Sequence, residues 1–306
     1  MNRPTDLRTI DNDLPKGIQR SRHLPDPELG KLWDSIKIDE RVKAQLLSQA
    51  ALNFTVRGKV DRTVLPLHGV ILLTGEPGTG KTSLARGLAH RTAQSFQGGK
   101  FRLLEVEPHT LTSSAMGKTQ KAVADLFSQT IAEAAMSGQT IVLLDEVETL
   151  AVDRSKLSMD ANPIDIHRAT DAVLVQLDAL AERFPNLLFL ATSNFPEAVD
   201  AAFMSRCDLI VRVPLPDRAA CALILADCLT GLGQTYASIG RLVSAPGFDR
   251  CASEAVGLDG RAIRKTVANA LANRIETAMD PNKVTIEDVL AAMTAAKASR
   301  KRKETP

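Results

Sequence analysis

The sequence contains no apolar run long enough to cross a membrane; its strongest runs are only strand-sized. Its N-terminus, MNRPTDLRTIDNDLPKG, lacks the continuous apolar core of a signal peptide, so a soluble, cytoplasmic protein is expected and no membrane partner. The four cysteines (Cys207, Cys221, Cys228 and Cys251) show no CxxC pairing and the five histidines make no ligand pattern, which argues against disulfides and structural zinc. There is no HExxH and no serine elbow, so nothing points to a protease. No charge of one sign dominates: Lys+Arg total 38 against Asp+Glu 36, and only the short basic segment Lys297 to Lys303 stands out. No helix-turn-helix or aromatic-basic surface accompanies that segment, so nucleic acid is not an expected partner.

What is present suits one large and one smaller domain, since 306 residues at 44% hydrophobic content supply ample core. Residues 1–30 are polar and broken by Pro4, Pro15, Pro25 and Pro27, and read as a flexible N-terminal arm. Leu32, Ile36, Val42, Leu46 and Leu47 follow at helical spacing, with a break near Ile38 and Asp39. Five short apolar runs then predict strands: VILLT at 70–74, FRLLEV at 101–106, IVLL at 141–144, LLFLAT at 187–192 and LIVRV at 209–213. Helical patterns at Thr82–Thr92, Lys118–Ser137 and Arg168–Arg183 alternate with them, so an α/β domain with a covered, parallel five-stranded sheet is expected over 31–215. After Pro214 and Pro216 only helical stretches remain (Ala219–Leu229, Arg261–Met279, Ile286–Lys297), the last with Thr285 and Asp288 at capping-box spacing. They predict a small all-helical domain over 216–296, followed by a disordered basic tail at 297–306.

The chemistry lies at the ends of the strands. Gly75-Glu76-Pro77-Gly78-Thr79-Gly80-Lys81-Thr82 follows a strand and opens a helix, the context a phosphate-binding P-loop requires. Its glycines let backbone N–H groups converge on phosphates, Lys81 can reach the β- and γ-phosphates, and Thr82 can ligate Mg²⁺. Glu76, Pro77, Gly78, Thr79, Gly80, Lys81, Thr82 and Ser83 are therefore the candidate nucleotide-binding residues. Asp145 and Glu146 end the IVLL strand; Asp145 can hold Mg²⁺ directly or through water, and Glu146 can polarise the attacking water. Asn194 ends LLFLAT-Ser193, where its amide can bond the γ-phosphate or that water. Asn282-Lys283 is followed by Val284-Thr285, so the guanine-reading NKxD motif is missing and ATP is the expected nucleotide.

Together, the P-loop, the Asp-Glu pair, the strand-end Asn, an Arg within Asp200–Asp208 and Gly260-Arg261 resemble an AAA+ ATPase over about residues 30–296. LWDSI at 32–36, LLTGEPGTGKTSLARGLA at 72–89, LLDEVETL at 143–150, residues 192–208 and GLDGRAIRK at 257–265 resemble more narrowly the pachytene-checkpoint AAA+ ATPases, remodellers of HORMA-domain proteins. The resemblance implies a P-loop AAA+ module with a helical lid, acting as a homohexamer with ATP and Mg²⁺. It gives Glu146, Asn194, Arg206 and Arg261 catalytic roles: Arg206 matches the finger that reaches a neighbour's nucleotide, and Arg261 the lid sensor of its own subunit.

Eukaryotic members carry a sizeable N-terminal domain where this sequence has about thirty residues, and the short form looks like bacterial relatives. Those are associated with HORMA proteins and a second-messenger nucleotidyltransferase in anti-phage signalling, which implies such a partner here. The family's pore-loop aromatic is replaced by Ala115 and Met116, followed by Gly117; Met is a polarizable gripping residue, so a substrate pore loop is still expected there. Residues 153–167 are long enough for a second pore loop. Two other functions compete: a DNA-associated motor or loader, suggested by the tail KASRKRK, and a nucleotide-gated scaffold.

Overall fold

A computed structural model describes residues 14–106, 118–152 and 163–304. In chain order the elements are β1 (Ile18–Leu24), α1 (Pro27–Ser35), α2 (Glu40–Val56), β2 (Val70–Thr74), α3 (Lys81–Ser95), β3 (Phe101–Val106) and α4 (Lys118–Asp125). A π-helical stretch, Leu126–Ile131, joins α4 to α5 (Ala132–Ser137). Then come β4 (Gln139–Leu144), α6 (Pro163–Arg183), β5 (Leu187–Ser193), α7 (Ala201–Met204), β6 (Leu209–Arg212), α8 (Arg218–Gly233), α9 (Ala237–Arg241), α10 (Phe248–Glu254), α11 (Gly260–Ala272), α12 (Ile275–Met279) and α13 (Ile286–Glu304). No helix among the described residues is long and apolar enough to cross a membrane.

The sheet has six strands in the order β1-β3-β4-β5-β2-β6, one more than expected. Five are parallel; the sixth, β1, runs antiparallel to β3 within the segment expected to be a flexible arm. Its sequence hides the strand. IQRSRHL buries Ile18, Ser21 and Leu24 while Gln19, Arg20 and His23 stay exposed, and a register shift between Ile18 and Arg20 breaks the two-residue alternation.

The chain divides into two compact units. The first takes the sheet, α2–α6 and most of the N-terminal half; the second takes Val213 onward together with Asp34–Asp39 and Glu76–Gly80. In the first, alternate strand residues face opposite ways. Leu72, Leu104, Val142, Leu144 and Phe189 form one core with Val123, Phe127, Ile131, Val173 and Leu177, the rings of Phe127 and Phe189 stacking at 5.9 Å. Ile71, Leu73, Leu103, Ile141, Leu143, Leu188 and Leu190 are equally buried on the other face. In the second unit Leu225, Leu229, Ile263, Val267, Val289 and Met293 close a separate core.

Three helices of the second unit, α8, α11 and α13, start where side chains satisfy their first N–H groups. Asp217 accepts from Ala220 N at 2.8 Å, Asp259 from Ala262 N at 2.9 Å, and Thr285 and Asp288 bond each other's backbone reciprocally at 3.0 and 3.3 Å. α13 runs on to Glu304, so most of the segment expected to be a disordered tail is helical. All four cysteines are free, and burial pushes Cys207 up to about 12 and Cys221 and Cys251 up to about 11, so these thiols stay protonated and act as packing groups.

Candidate nucleotide site

β4, β5 and β2 are adjacent and parallel, with Leu144 beside Ala191 and Thr74 beside Ser193. The segments leaving their C-terminal ends, Asp145-Glu146, Asn194 and Gly75, therefore emerge at one edge of the sheet, where open α/β sheets bind ligands.

The P-loop is shaped by its own residues. Pro77 and Gly78 occupy the central positions of a turn whose order, Pro then a Gly at φ 83°, is that of type II. Thr79 Oγ1 closes it by donating to the Glu76 carbonyl at 2.9 Å. A Cβ on Gly78 would lie 2.2 Å from Asp259 Oδ1, and one on Gly80 (φ 92°) 2.4 Å from Ile36 Cδ1, so the backbone angle favours glycine at both and a Cβ would also have to displace these side-chain ends. Lys81 opens α3 with its side chain buried and its Nζ donating to the Gly75 carbonyl at 2.9 Å; Thr82 and Ser83 follow, half-buried, on the same turn.

Asp145 and Thr82 are brought together: Thr82 Oγ1 donates to Asp145 Oδ1 at 2.8 Å. These are paired hard oxygen donors of the kind Mg²⁺ takes, so the residues fit the ion the motif implies. A second hydroxyl, that of Thr192, donates to the same Oδ1 at 2.5 Å and accepts from the Glu146 N–H at 3.1 Å. Thr192 is thus the hub of the acid pair, a role the sequence did not reveal because a buried strand-end threonine looks like any other. Glu146 stands at φ 53°, the one non-glycine residue in the left-handed region among those described. Three bonds hold it there: the Thr192 contact, and its own carbonyl accepting from Thr149 N and Oγ1, each at 2.9 Å.

Asn194 is placed against the acid. Its Nδ2 donates to Glu146 Oε1 at 3.2 Å, while its backbone N–H is held by Glu148 Oε1 at 2.9 Å. The amide thus fixes the direction of the Glu146 carboxylate.

Arg206, just past α7, is held within its own subunit. Nε and Nη2 donate to Asp178 Oδ1 and Oδ2 at 2.8 and 2.6 Å, and Nη1 to the Ala202 carbonyl at 2.7 Å. This fork holds the Asp178 carboxyl below, and the guanidinium above, its ordinary range. Arg261 is exposed on the first turn of α11 in the second unit. Ala115, Met116 and Gly117 lie outside the described residues, as do 153–162; Pro163 already begins α6, so the second loop expected at 153–167 is shorter by its last five positions.

A P-loop after β2, an amide after its neighbour β5, an Asp-Glu pair after β4 on the far side of β5, and a helical unit after the sheet define a class, and residues 71–215 match the model of the ATPase family associated with various cellular activities (AAA). The chain belongs to the AAA ATPases, in the pachytene-checkpoint branch. It is 71% identical over 290 residues, 95% of both chains, to CD-NTase-associated protein 6 of Pseudomonas aeruginosa. It is 39% identical over 215 residues to the pachytene checkpoint protein 2 homolog of Oryza sativa subsp. indica, matching 68% of this chain and 45% of that longer one. Among solved structures, C. elegans PCH-2 is similar at a TM-score of 0.74 with 28% identity, covering 95% of this chain and 77% of the other. A chain of the E. coli MS115-1 HORMA:CdnC:Trip13 complex shares the fold at a TM-score of 0.72 with 21% identity, covering 90% and 94%.

Proposed function

We propose that this chain is an ATP-driven remodeller that assembles as a homohexamer and changes the conformation of a HORMA-domain partner, so regulating a CD-NTase in anti-phage signalling. The ATP-driven part rests on one observation: Thr82, Asp145, Thr192, Glu146 and Asn194 form a single bonded chain at the mouth of the P-loop. Such a chain fixes a carboxylate for water activation beside the oxygen pair that holds Mg²⁺, and the ion when bound neutralises phosphate charge. Lys81 binds the β- and γ-phosphates, Glu146 takes the proton of the attacking water, and Asn194 keeps its carboxylate aimed. Arg206 reaches a neighbour's nucleotide once it leaves Asp178, and Arg261 senses the phosphates of its own subunit.

The partner class rests on similarity: the P. aeruginosa relative is named for association with a CD-NTase, and the E. coli complex contains HORMA and CdnC beside a chain of this fold. A DNA-linked motor loses part of its motive, because in the basic segment Lys297 pairs with Glu254 at 3.6 Å and Arg300 with Glu76. Glu146→Gln settles the proposal when mixed with a HORMA protein and ATP. The amide keeps the shape of the site but removes the base, so the variant should hold ATP and retain the HORMA protein without turnover. Wild-type hydrolysis by that variant, or no HORMA retention together with no HORMA stimulation of the wild type, would sink it.

A further inference from the structure

The P-loop carries an acid where a triphosphate is to bind. Glu76 sits between Gly75 and Pro77, at the start of the turn whose backbone N–H groups face the phosphates, and its carboxylate is half-exposed. Asp259, the cap of α11, adds a second carboxylate against the same turn: the position a Cβ would take on Gly78 is 2.2 Å from its Oδ1. An unneutralised acid here lies well within one Debye length, about 8 Å at physiological salt, of a polyanion. Fixed like charges at that range weaken binding.

The structure supplies a counter-charge from the far end of the sequence. Arg300, near the end of α13, donates its Nη2 to Glu76 Oε2. Its side chain is three-quarters buried, and one turn earlier Lys297 pairs with Glu254 of α10, so two ion pairs anchor this end of the helix. Glu76, Arg300, Asp259 and α10 all belong to the same compact unit.

We propose that Arg300 is a positioning residue for nucleotide binding: it neutralises Glu76 and turns that carboxylate away from the phosphates, making ATP affinity depend on the C-terminal helix. This rests on ATP occupying the P-loop as proposed above. As a stabilising contact an ion pair whose acid is half-exposed is worth little. Its effect is on the ligand, and it is lost if Arg300 goes while Glu76 stays.

The test is a titration of the full-length chain with a fluorescent ADP, which needs no hydrolysis, at about 30 mM and about 300 mM salt. Arg300→Gln should raise Kd about three- to tenfold at low salt and less at high salt. Arg300→Lys should keep most of the affinity, and Glu76→Gln alone, which removes a charge that opposes the phosphates, should lower Kd below the wild-type value. The double variant Glu76→Gln/Arg300→Gln should return to within about twofold of wild type. An unchanged Kd for Arg300→Gln overturns the inference, and so does an equal loss in the Glu76→Gln background, which would mean that Arg300 acts directly or through the fold. Melting of the nucleotide-free variants checks that the helix is intact. Lys81→Ala in the same titration separates the two claims: if it binds like wild type, the nucleotide site itself is misplaced and both fall.

Discussion

Thr192→Val tests whether the acid pair depends on a hydroxyl. The side chain is 1% exposed, and valine matches its shape while removing one donor and one acceptor. The donated bond goes to a carboxylate, Asp145 Oδ1, and a bond to a charged group is worth about 1.5–3 kcal/mol. The accepted bond satisfies the Glu146 N–H, and an unpaired buried donor costs about 1–3 kcal/mol. The two overlap, since the loop can shift to recover part of the loss, and about 3 kcal/mol in total is expected. Glu146 also stands in a left-handed conformation that costs roughly 1–2 kcal/mol, so losing an anchor lets it relax away from the direction that the proposed water activation needs. Misplacement of this kind costs about a hundredfold in turnover. Thr192→Ser keeps the hydroxyl and should lose only about 1 kcal/mol and little rate. Denaturation without nucleotide, at fixed protomer concentration and followed by the single tryptophan, the buried Trp33, gives the stability; steady-state ATPase gives the rate. If Thr192→Val unfolds within about 0.5 kcal/mol of wild type and hydrolyses ATP normally, the hub assignment is wrong.

Arg57→Met should cost about 3–5 kcal/mol in a melt, because Arg57 is buried with four acceptors (Asn53 Oδ1 and the carbonyls of Leu187, Ala181 and Phe184) that all lose a charged donor; a change below about 1 kcal/mol would refute this. Burial pulls the Arg57 guanidinium down only to about 10, so it remains charged at neutral pH. Mixing Arg206→Ala subunits with Lys81→Ala subunits should restore part of the ATPase activity, since each supplies what the other lacks and such fingers are worth about 10³–10⁵ in rate; a mixture no better than its parts defeats the action in trans. His68 is held below its ordinary value, first by burial and then by Arg62, with Arg206 adding to the effect and Asp208 and Asp178 opposing it. The folded chain therefore binds this proton more weakly than the unfolded one, so its share of stability is intact above about pH 6.5 and falls away as pH drops below that value. His68→Gln should flatten the melting profile between about pH 7 and about pH 5, and an unchanged slope would remove His68 from the account.

Much of the site was legible because its residues sit at strand ends, where local pattern and chemistry coincide. A buried parallel strand is a continuous apolar run, and the first polar residues after it mark the sheet edge; VILLT ends at the P-loop and IVLL at Asp145-Glu146 for that reason. The Thr285–Asp288 cap was legible too, being a contact between residues three apart. β1 was not, because an edge strand buries only part of its surface and can carry Arg20, Arg22 and His23 while its partner β3 lies some eighty residues away.

What the sequence by itself determined was the P-loop with its acid pair, the α/β-then-helical order and the family, all carried by contiguous motifs. What only the tertiary structure decided was which distant residues meet. The strand order puts β5 between β4 and β2, so Thr192 binds Asp145 and Asn194 faces Glu146. Packing brings Asp178 to Arg206 across 28 residues and Arg300 to Glu76 across 224. Each of these partners is an ordinary polar residue in its own segment, and no local pattern distinguishes it, because the free energy that selects its neighbour comes from burying a shared core, which must outweigh the entropy of closing a long loop.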